Sequence, residues 1–144
     1  MKTRKNIRIE GYDYTEAGYY FITVCTKDKR EVFGRINNDQ MILNSKGVLV
    51  KSILENYNTK STNAKNDFYQ IMPDHIHLII RFIENNNENI STVVSRLKGK
   101  CTRELKIKDL WQRNFYERII RNEKEYVNIL EYIKNNPYKD KYIW

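Results

Sequence analysis

Hydrophobic and polar positions along the chain form blocks that predict four main strands and a small hairpin. Aromatic and β-branched residues, which favour extended backbone, are concentrated in the strand segments. Two shorter apolar runs, residues 32–36 and 41–43, flank the turn-forming sequence Asn37-Asn38-Asp39 and predict the hairpin. The main strands are predicted over residues 19–26, 67–72, 75–82 and 110–120.

Apolar residues at helical spacing predict the first of three helices. It begins at a capping residue, Asn44 or Ser45, and ends near Tyr57. The polar residues 59–66 that follow it predict a loop. The apolar positions of this helix are Val48, Leu49, Ile53 and Leu54.

The second and third helices are predicted from their capping residues and their periodicity. Ser91 caps the second helix, which turns its apolar residues toward the core and its basic residues toward solvent. Asn122 caps the third helix, which covers residues 123–135 and is stopped by Pro137.

The order of these elements predicts the fold class. With the hairpin set aside, it is strand, helix, strand, strand, helix, strand, helix. The first six elements form a split βαβ, which is the ferredoxin-like α+β pattern of an antiparallel sheet with helices on one face. We expect one domain over residues 1–144, with residues 1–11 as a basic arm and without internal repeats.

Composition narrows the class of partner and the cellular compartment. The net charge is +8, which favours a polyanion such as nucleic acid. The chain has neither a membrane-length apolar segment nor an apolar signal peptide, so we expect a cytoplasmic protein without a membrane partner. Cys25 and Cys101 are far apart, which predicts buried, inert thiols rather than a zinc or redox motif.

The two histidines of the chain lie two positions apart in the segment 72–80. Alternate residues of a strand point to the same face, so His75 and His77 emerge side by side. A pair of imidazoles on a rigid strand is half of a metal site. The alternative is that both are ordinary surface histidines on a solvated face of the sheet.

Tyr132 and Asn136 lie four residues apart, on one face of the third helix. Tyr132 offers a phenol, and Asn136 offers a carboxamide oxygen that suits a third metal ligand. The alternatives are that Tyr132 is a core residue and that Asn136 only stops the helix. Three other tyrosines compete for a role in chemistry, namely Tyr126, Tyr138 and Tyr142.

Five sequence blocks together resemble the REP-associated tyrosine transposases, which belong to the single-tyrosine HUH transposases of insertion sequences. The most specific are Met-Pro-Asp-His-Ile-His-Leu-Ile-Ile at 72–80 and Glu-Tyr-Ile-Lys-Asn-Asn-Pro at 131–137. Supporting blocks stand at 11–14, 20–24 and 111–117, so that the resemblance covers nearly the whole chain in the expected order. Many relatives have a longer tail after the Asn-Pro pair, whereas this chain stops at Trp144, so the resemblance does not extend to tail-mediated DNA contact or regulation.

The resemblance implies a function and a set of roles. Tyr132 is the nucleophile of a C-terminal catalytic helix, while His75, His77 and Asn136 hold Mg²⁺ or Mn²⁺. Two imidazole ligands suit Mn²⁺ better than the harder Mg²⁺, so we expect Mn²⁺ to support at least comparable activity. The implied reaction cleaves and rejoins single-stranded, hairpin-containing DNA through a 5′-phosphotyrosine.

Basic and aromatic residues on the second helix and around the last strand are candidates for DNA binding. The alternative for the basic residues is simple solvation, and the alternative for the tryptophan is core packing. The candidates are Lys98, Lys100, Arg103, Trp111, Arg113, Arg118 and Arg121.

Other functions remain open at the level of sequence. A non-catalytic nucleic-acid-binding module would use the same fold and charge, and a metal-dependent phosphodiesterase would use water as its nucleophile. A relative that maintains host repeats would keep the transposase chemistry. The resemblance also allows either a monomer or a homodimer.

Overall fold

A computed structural model describes residues 18–60, 64–82 and 89–135, and it confirms the α+β architecture. The strands are β1 (Gly18–Cys25), β2 (Gly34–Asn37), β3 (Gln40–Leu43), β4 (Ala64–Ile71), β5 (His75–Phe82) and β6 (Tyr116–Ile120). The helices are α1 (Ser45–Lys60), α2 (Ile90–Leu105) and α3 (Glu123–Lys134), and a short 3-10 turn covers Lys27–Lys29. The basic arm at residues 1–11 lies outside the described residues.

Four strands form one antiparallel sheet in the order β4-β5-β1-β6, which is the ferredoxin-like arrangement. β2 and β3 form the separate hairpin. The two faces of the sheet support different helices. Side chains of α1 and α2 join the larger hydrophobic cluster on one face, whereas α3 packs on the other face through a smaller cluster.

Local chemistry explains the hairpin and the start of α1. Asn38 and Asp39 adopt positive φ angles of 52° and 61°, which a two-residue hairpin turn needs and these residue types tolerate. The Asn44 side chain accepts a hydrogen bond of 2.9 Å from the backbone N–H of Gly47. Asn44 is therefore the cap of α1, which settles the choice between Asn44 and Ser45.

Four predicted boundaries were wrong. α1 continues to Lys60 instead of ending near Tyr57, and β4 begins at Ala64, within the segment predicted as a loop. Hydrogen bonding to β5 favours the longer β4, which absorbs a bulge between Asn66 and Phe68. Asn89, not Ser91, caps α2, because its Oδ1 accepts a 3.0 Å hydrogen bond from Thr92 N–H.

The fourth wrong boundary is that of the last strand, which begins at Tyr116 rather than Leu110. Leu110 and Phe115 are buried, but they reach the core from a loop. In this segment a single β-bridge joins Trp111 to Thr26. Burial rather than sheet pairing therefore accounts for the apolar residues.

The apolar face of α1 is also rotated from the prediction. Val48 is 55% exposed, and Val50 is buried in its place beside Ile53 and Leu54. The thiols of Cys25 and Cys101 are both buried, as expected. Burial raises the pKa of the Cys101 thiol to about 12, which keeps it protonated and unreactive at neutral pH.

Candidate active site

The two histidines lie side by side on the face of the sheet that α3 covers. His75 is 5% exposed and His77 is 0% exposed, so the alternative of ordinary surface histidines is wrong. Their ring centroids are 4.7 Å apart, with an angle of 73° between the ring planes. Two imidazoles are therefore held together in a site that is largely shielded from water.

Each imidazole is oriented by a neighbour at its Nδ1 atom. Nδ1 of His77 lies 2.9 Å from the Thr23 hydroxyl, which the pairing of β1 with β5 places directly opposite. Nδ1 of His75 lies 2.6 Å from Oδ1 of Asp74. A partner at Nδ1 fixes the tautomer and directs Nε2 toward a metal, as is common at metal-binding histidines.

The carboxyl group of Asp74 is suited to orienting His75. Burial alone would raise the pKa of its carboxyl group, but the hydrogen bond and charge of His75 outweigh that effect and lower it. The carboxylate is thus ionised at neutral pH and can accept a hydrogen bond from an Nδ1–H group of His75.

Helix α3 places Tyr132 over this pair. Asn122 caps the helix by accepting a 2.9 Å hydrogen bond from Glu125 N–H, and Ile129 and Ile133 pack against Phe21 and Ile79 of the sheet. The half-buried ring of Tyr132 lies 5.8 Å from the ring of His77, centroid to centroid. A phenol and two imidazoles, separated by 55 residues or more in sequence, thus meet at one place.

The residues present fit a divalent metal as far as they are described. The donor set would be two neutral imidazoles, each with its orientation fixed by a polar neighbour. Asn136, the predicted third ligand, lies outside the described residues. Within residues 18–60, 64–82 and 89–135, no group of three His, Cys, Asp or Glu side chains forms an alternative metal site.

One rival tyrosine is held elsewhere. The hydroxyl of Tyr126 donates a 2.6 Å hydrogen bond to Asp67, and Asp67 also accepts a 3.0 Å hydrogen bond from Arg81 Nε. Burial and the contact with Asp67 raise the pKa of Tyr126 to about 12. Tyr126 therefore ties α3 to the sheet rather than facing the histidines. Tyr138 and Tyr142 lie outside the described residues.

The basic residues of α2 are not brought to the histidines, because α2 packs on the opposite face of the sheet. Lys100 and Arg103 are exposed, and Lys100 is 3.7 Å from Glu104. The outward orientation expected for Lys98 was wrong. Its half-buried ammonium group donates a 2.8 Å hydrogen bond to the carbonyl of Gln112.

Trp111 is also half-buried, in agreement with the core-packing alternative. Its indole N–H donates a 3.1 Å hydrogen bond to the carbonyl of Lys98, and its ring packs 5.6 Å from that of Phe33. These contacts, with the bond from Lys98, fasten the loop before β6 to α2. A role of either residue in DNA binding stays a prediction.

The basic residues near the last strand are distributed differently. Arg113, Arg118 and Arg121 are exposed. Arg118 shares the sheet face with the histidines, and its guanidinium lies 3.8 Å from the carboxylate of Glu125. Arg121 directly precedes the cap of α3. Arg118 is the predicted DNA-binding residue that the structure brings to the neighbourhood of Tyr132.

Comparison with known proteins decides the family. The family described as "Transposase IS200 like" matches residues 14–136 of this chain. The chain belongs to the IS200-like transposases, a family of DNA-cleaving enzymes. The resemblance to REP-associated tyrosine transposases found in the sequence is thereby confirmed at the level of the family.

Two relatives of this IS200-like transposase are proteins of Haemophilus influenzae. An uncharacterized protein of Haemophilus influenzae is 39% identical over 158 residues, which cover 93% of this chain and 88% of that protein. A second protein of that organism, provisionally named a REP-associated tyrosine transposase, is 30% identical over 145 residues, covering 91% of this chain and 76% of that one.

A solved structure has the same fold. It shows a REP-associated tyrosine transposase bound to a REP hairpin, and it matches with a TM-score of 0.71 at 22% identity. The match covers 95% of this chain and 76% of the other. In the described part of the transposase, no helix has the length and apolar character needed to cross a membrane.

Sequence reasoning missed two members of the site. Thr23 was recognised only as part of the strand block 20–24, and only the register of β1 against β5 shows that it faces His77. Asp74 was interpreted as part of a turn. Its position directly before His75 was a usable signal, since carboxylates commonly accept the Nδ1 proton of metal-binding histidines.

Proposed function

We propose that this transposase cleaves and rejoins single-stranded DNA through a covalent bond to Tyr132. The observation that carries the proposal is the position of the Tyr132 ring, 5.8 Å from the ring of the fully buried His77. A phenol beside two oriented imidazoles suits metal-assisted attack on a phosphodiester. It does not suit mere packing of a hydrophobic core, which would leave the paired histidines without a role.

In the proposed reaction, the Tyr132 oxygen attacks the scissile phosphorus in line. The phenol gives up its proton as its bond to phosphorus forms. The bond from phosphorus to the 3′-oxygen breaks, and that oxygen leaves as a free 3′-hydroxyl. The 5′ end of the other fragment stays attached to Tyr132 as a phosphotyrosine, which preserves the phosphodiester energy for rejoining to another 3′-hydroxyl.

His75, His77 and Asn136 would hold Mg²⁺ or Mn²⁺ beside this tyrosine. When bound, the ion stabilises negative charge on the non-bridging oxygens of the phosphate. Thr23 and Asp74 would keep the two imidazoles aligned, so that the site is organised before the metal and the DNA arrive.

The proposed substrate is DNA that carries a hairpin. One relative is provisionally named as REP-associated, and the matching solved structure contains a REP hairpin. The net charge of +8 supports binding to a phosphate backbone. The same chemistry would serve movement of an element or maintenance of a host repeat.

The test is an assay for a covalent adduct. Hairpin DNA labelled at its 3′ end is incubated with the protein and Mn²⁺ and separated on a denaturing gel. The parent and Tyr69→Phe, whose hydroxyl lies on α1's side of the molecule, should form the adduct. Tyr132→Phe, or the parent in EDTA, should not.

Other results would replace the proposal. An adduct that persists in Tyr132→Phe would assign the nucleophile to another tyrosine. Cleavage without an adduct would indicate a phosphodiesterase that uses water, and binding without cleavage would indicate a nucleic-acid-binding module.

A further inference from the structure

A pocket of about 230 Å³ opens directly beside Tyr132, between β6 and α3. This volume is below the range of about 300–1,000 Å³ found for drug-sized ligands, and it suits a single small planar group. The pocket is lined by Phe21, Tyr116, Arg118, Glu125, Asn128, Ile129 and Tyr132.

Aromatic rings form much of the lining. Phe21 contacts Tyr116 on one side and Tyr132 on the other, both in edge-to-face geometry with centroids 6.4 Å apart. The buried side chain of Ile129 adds an apolar surface. Aromatic and apolar surfaces of this kind favour the flat face of an unpaired base.

Polar groups are placed where they would select among bases and hold the backbone. Asn128 lies four residues before Tyr132 on α3, so both side chains project from one face of the helix. A carboxamide offers a donor and an acceptor side by side, which matches the edge of adenine. The exposed guanidinium of Arg118 lies near the opening, where the carboxylate of Glu125, 3.8 Å away, partly balances its charge.

Tyr132 belongs both to the pocket and to the proposed active site, and this indicates which group the pocket would bind. Because Tyr132 lines the pocket, a group bound there lies beside the phosphate that this tyrosine attacks. In single-stranded DNA the groups nearest the phosphate are the two flanking nucleotides, and their bases are unpaired. A phosphate alone would make no use of the aromatic and apolar surface of the lining.

We propose that this pocket binds one unpaired base next to the scissile phosphate and so contributes to the choice of cleavage position. The proposal rests on the assignment of Tyr132 as nucleophile. Tyr116 contacts the base face, with the buried ring of Phe21 packed behind it, and Asn128 pairs with the base edge, with a preference for adenine. Base binding here holds the adjacent phosphate in line with Tyr132.

The test uses hairpin substrates in which each nucleotide flanking the cleavage position is in turn made abasic. The rate of adduct formation is measured for each substrate. With the parent, an abasic site at the bound position should slow the reaction about 10-fold, in line with the loss of one base–aromatic stack. The abasic site at the other flanking position should have a smaller effect.

Variants of the pocket show whether this sensitivity arises there. Tyr116→Leu should react at the same low rate with the intact and the abasic substrate. Asn128→Ala should keep the sensitivity to base loss but lose the preference for adenine over the other bases. Val127→Ala is the matched control, because Val127 is 43% exposed on the same helix and does not line the pocket.

The outcomes separate this inference from the proposed function. If the parent forms the adduct but base loss has no effect, or if both pocket variants respond like the parent, the pocket does not bind a base and the Tyr132 mechanism stands. If the parent forms no adduct on any substrate, both proposals fail.

Discussion

Thr23 orients the buried His77, which we propose as a metal ligand. His77 is 0% exposed, and a buried imidazole needs partners for both nitrogen atoms. The Thr23 hydroxyl lies 2.9 Å from Nδ1 of His77 and holds the ring in its direction. In the proposed site Thr23 would accept the Nδ1 proton, which would leave the unprotonated Nε2 to coordinate the metal.

Replacement of Thr23 by valine should weaken metal binding. Valine has nearly the same shape but cannot accept the Nδ1 proton, so affinity for Mn²⁺ measured by titration calorimetry should fall about 10-fold or more. Thr23→Ser keeps the hydroxyl and should bind nearly as the parent does. Equal affinity of the valine variant and the parent would mean that Thr23 does not orient His77.

Tyr126 helps to position a whole helix, because its hydroxyl ties α3 to the sheet. The bond runs to Asp67 on β4, and Asp67 in turn accepts from Arg81 on β5, the strand of the histidines. The ring of Tyr19 packs edge-on against Tyr126, with centroids 5.5 Å apart. This chain of contacts holds α3 against the sheet, and Tyr132 lies six residues later on the same helix.

Tyr126→Phe should therefore slow adduct formation several-fold, in addition to a loss of about 1 kcal/mol of unfolding free energy for the missing hydrogen bond. Tyr69→Phe is the matched control, since Tyr69 donates a similar 2.6 Å bond to Glu55 on α1, away from the site. It should lose comparable stability in denaturant titration and keep the parent rate. Equal rates for both variants would contradict a positioning role for Tyr126.

The raised pKa of Tyr126 defines the pH range over which its hydrogen bond to Asp67 stabilises the fold. The phenol is favoured in its protonated form in the folded state, where its pKa is raised to about 12. The stabilisation is complete below the unfolded-state pKa of about 10 and is lost as the pH rises through about 12. It is therefore constant across the neutral range.

Elements with strong local patterns could be predicted from the sequence. β5 and the start of α3 agree with the prediction, because an unbroken apolar run and an asparagine cap are local signals. The loop before β6 could not be predicted, because its apolar residues are buried by packing against distant α2. Lys98 was misplaced for the same reason, since its carbonyl partners are 14 and 15 residues away in sequence.

The site, too, could be predicted only where it depends on local sequence patterns. The pair of histidines and the helical position of Tyr132 are local patterns, and the structure brings them together. Thr23 and the pocket beside Tyr132 depend on strand register and helix docking, for which a single sequence has no signal. The role of Asn136 as a metal ligand stays a prediction, because Asn136 lies outside the described residues.

In the molecule as a whole, the two faces of the sheet differ in what they carry. One face carries α1 and α2 and the larger hydrophobic cluster, which stabilises the fold. The other face carries the histidines and α3, and α3 packs on the sheet of its own chain through Ile129 and Ile133. In the structure, the histidines and Tyr132 of one chain therefore lie together.

This arrangement predicts the result of mixing two inactive variants. Tyr132→Phe has intact histidines, and the double variant His75→Ala with His77→Ala has an intact tyrosine. Their mixture should form no adduct above the level of each alone, with circular dichroism to check that both are folded. Restored adduct formation would show that α3 is exchanged between the two chains of a dimer.

The central claim is that Tyr132 becomes bonded to DNA, and mass spectrometry of the adduct tests it most directly. After nuclease and trypsin digestion, the remaining nucleotide should be found on the peptide 125–134. That peptide contains two tyrosines, so fragmentation must assign the site. The account predicts a nucleotide on Tyr132 through a 5′-phosphate; a nucleotide on Tyr126, on another peptide, or joined through a 3′-phosphate would contradict it.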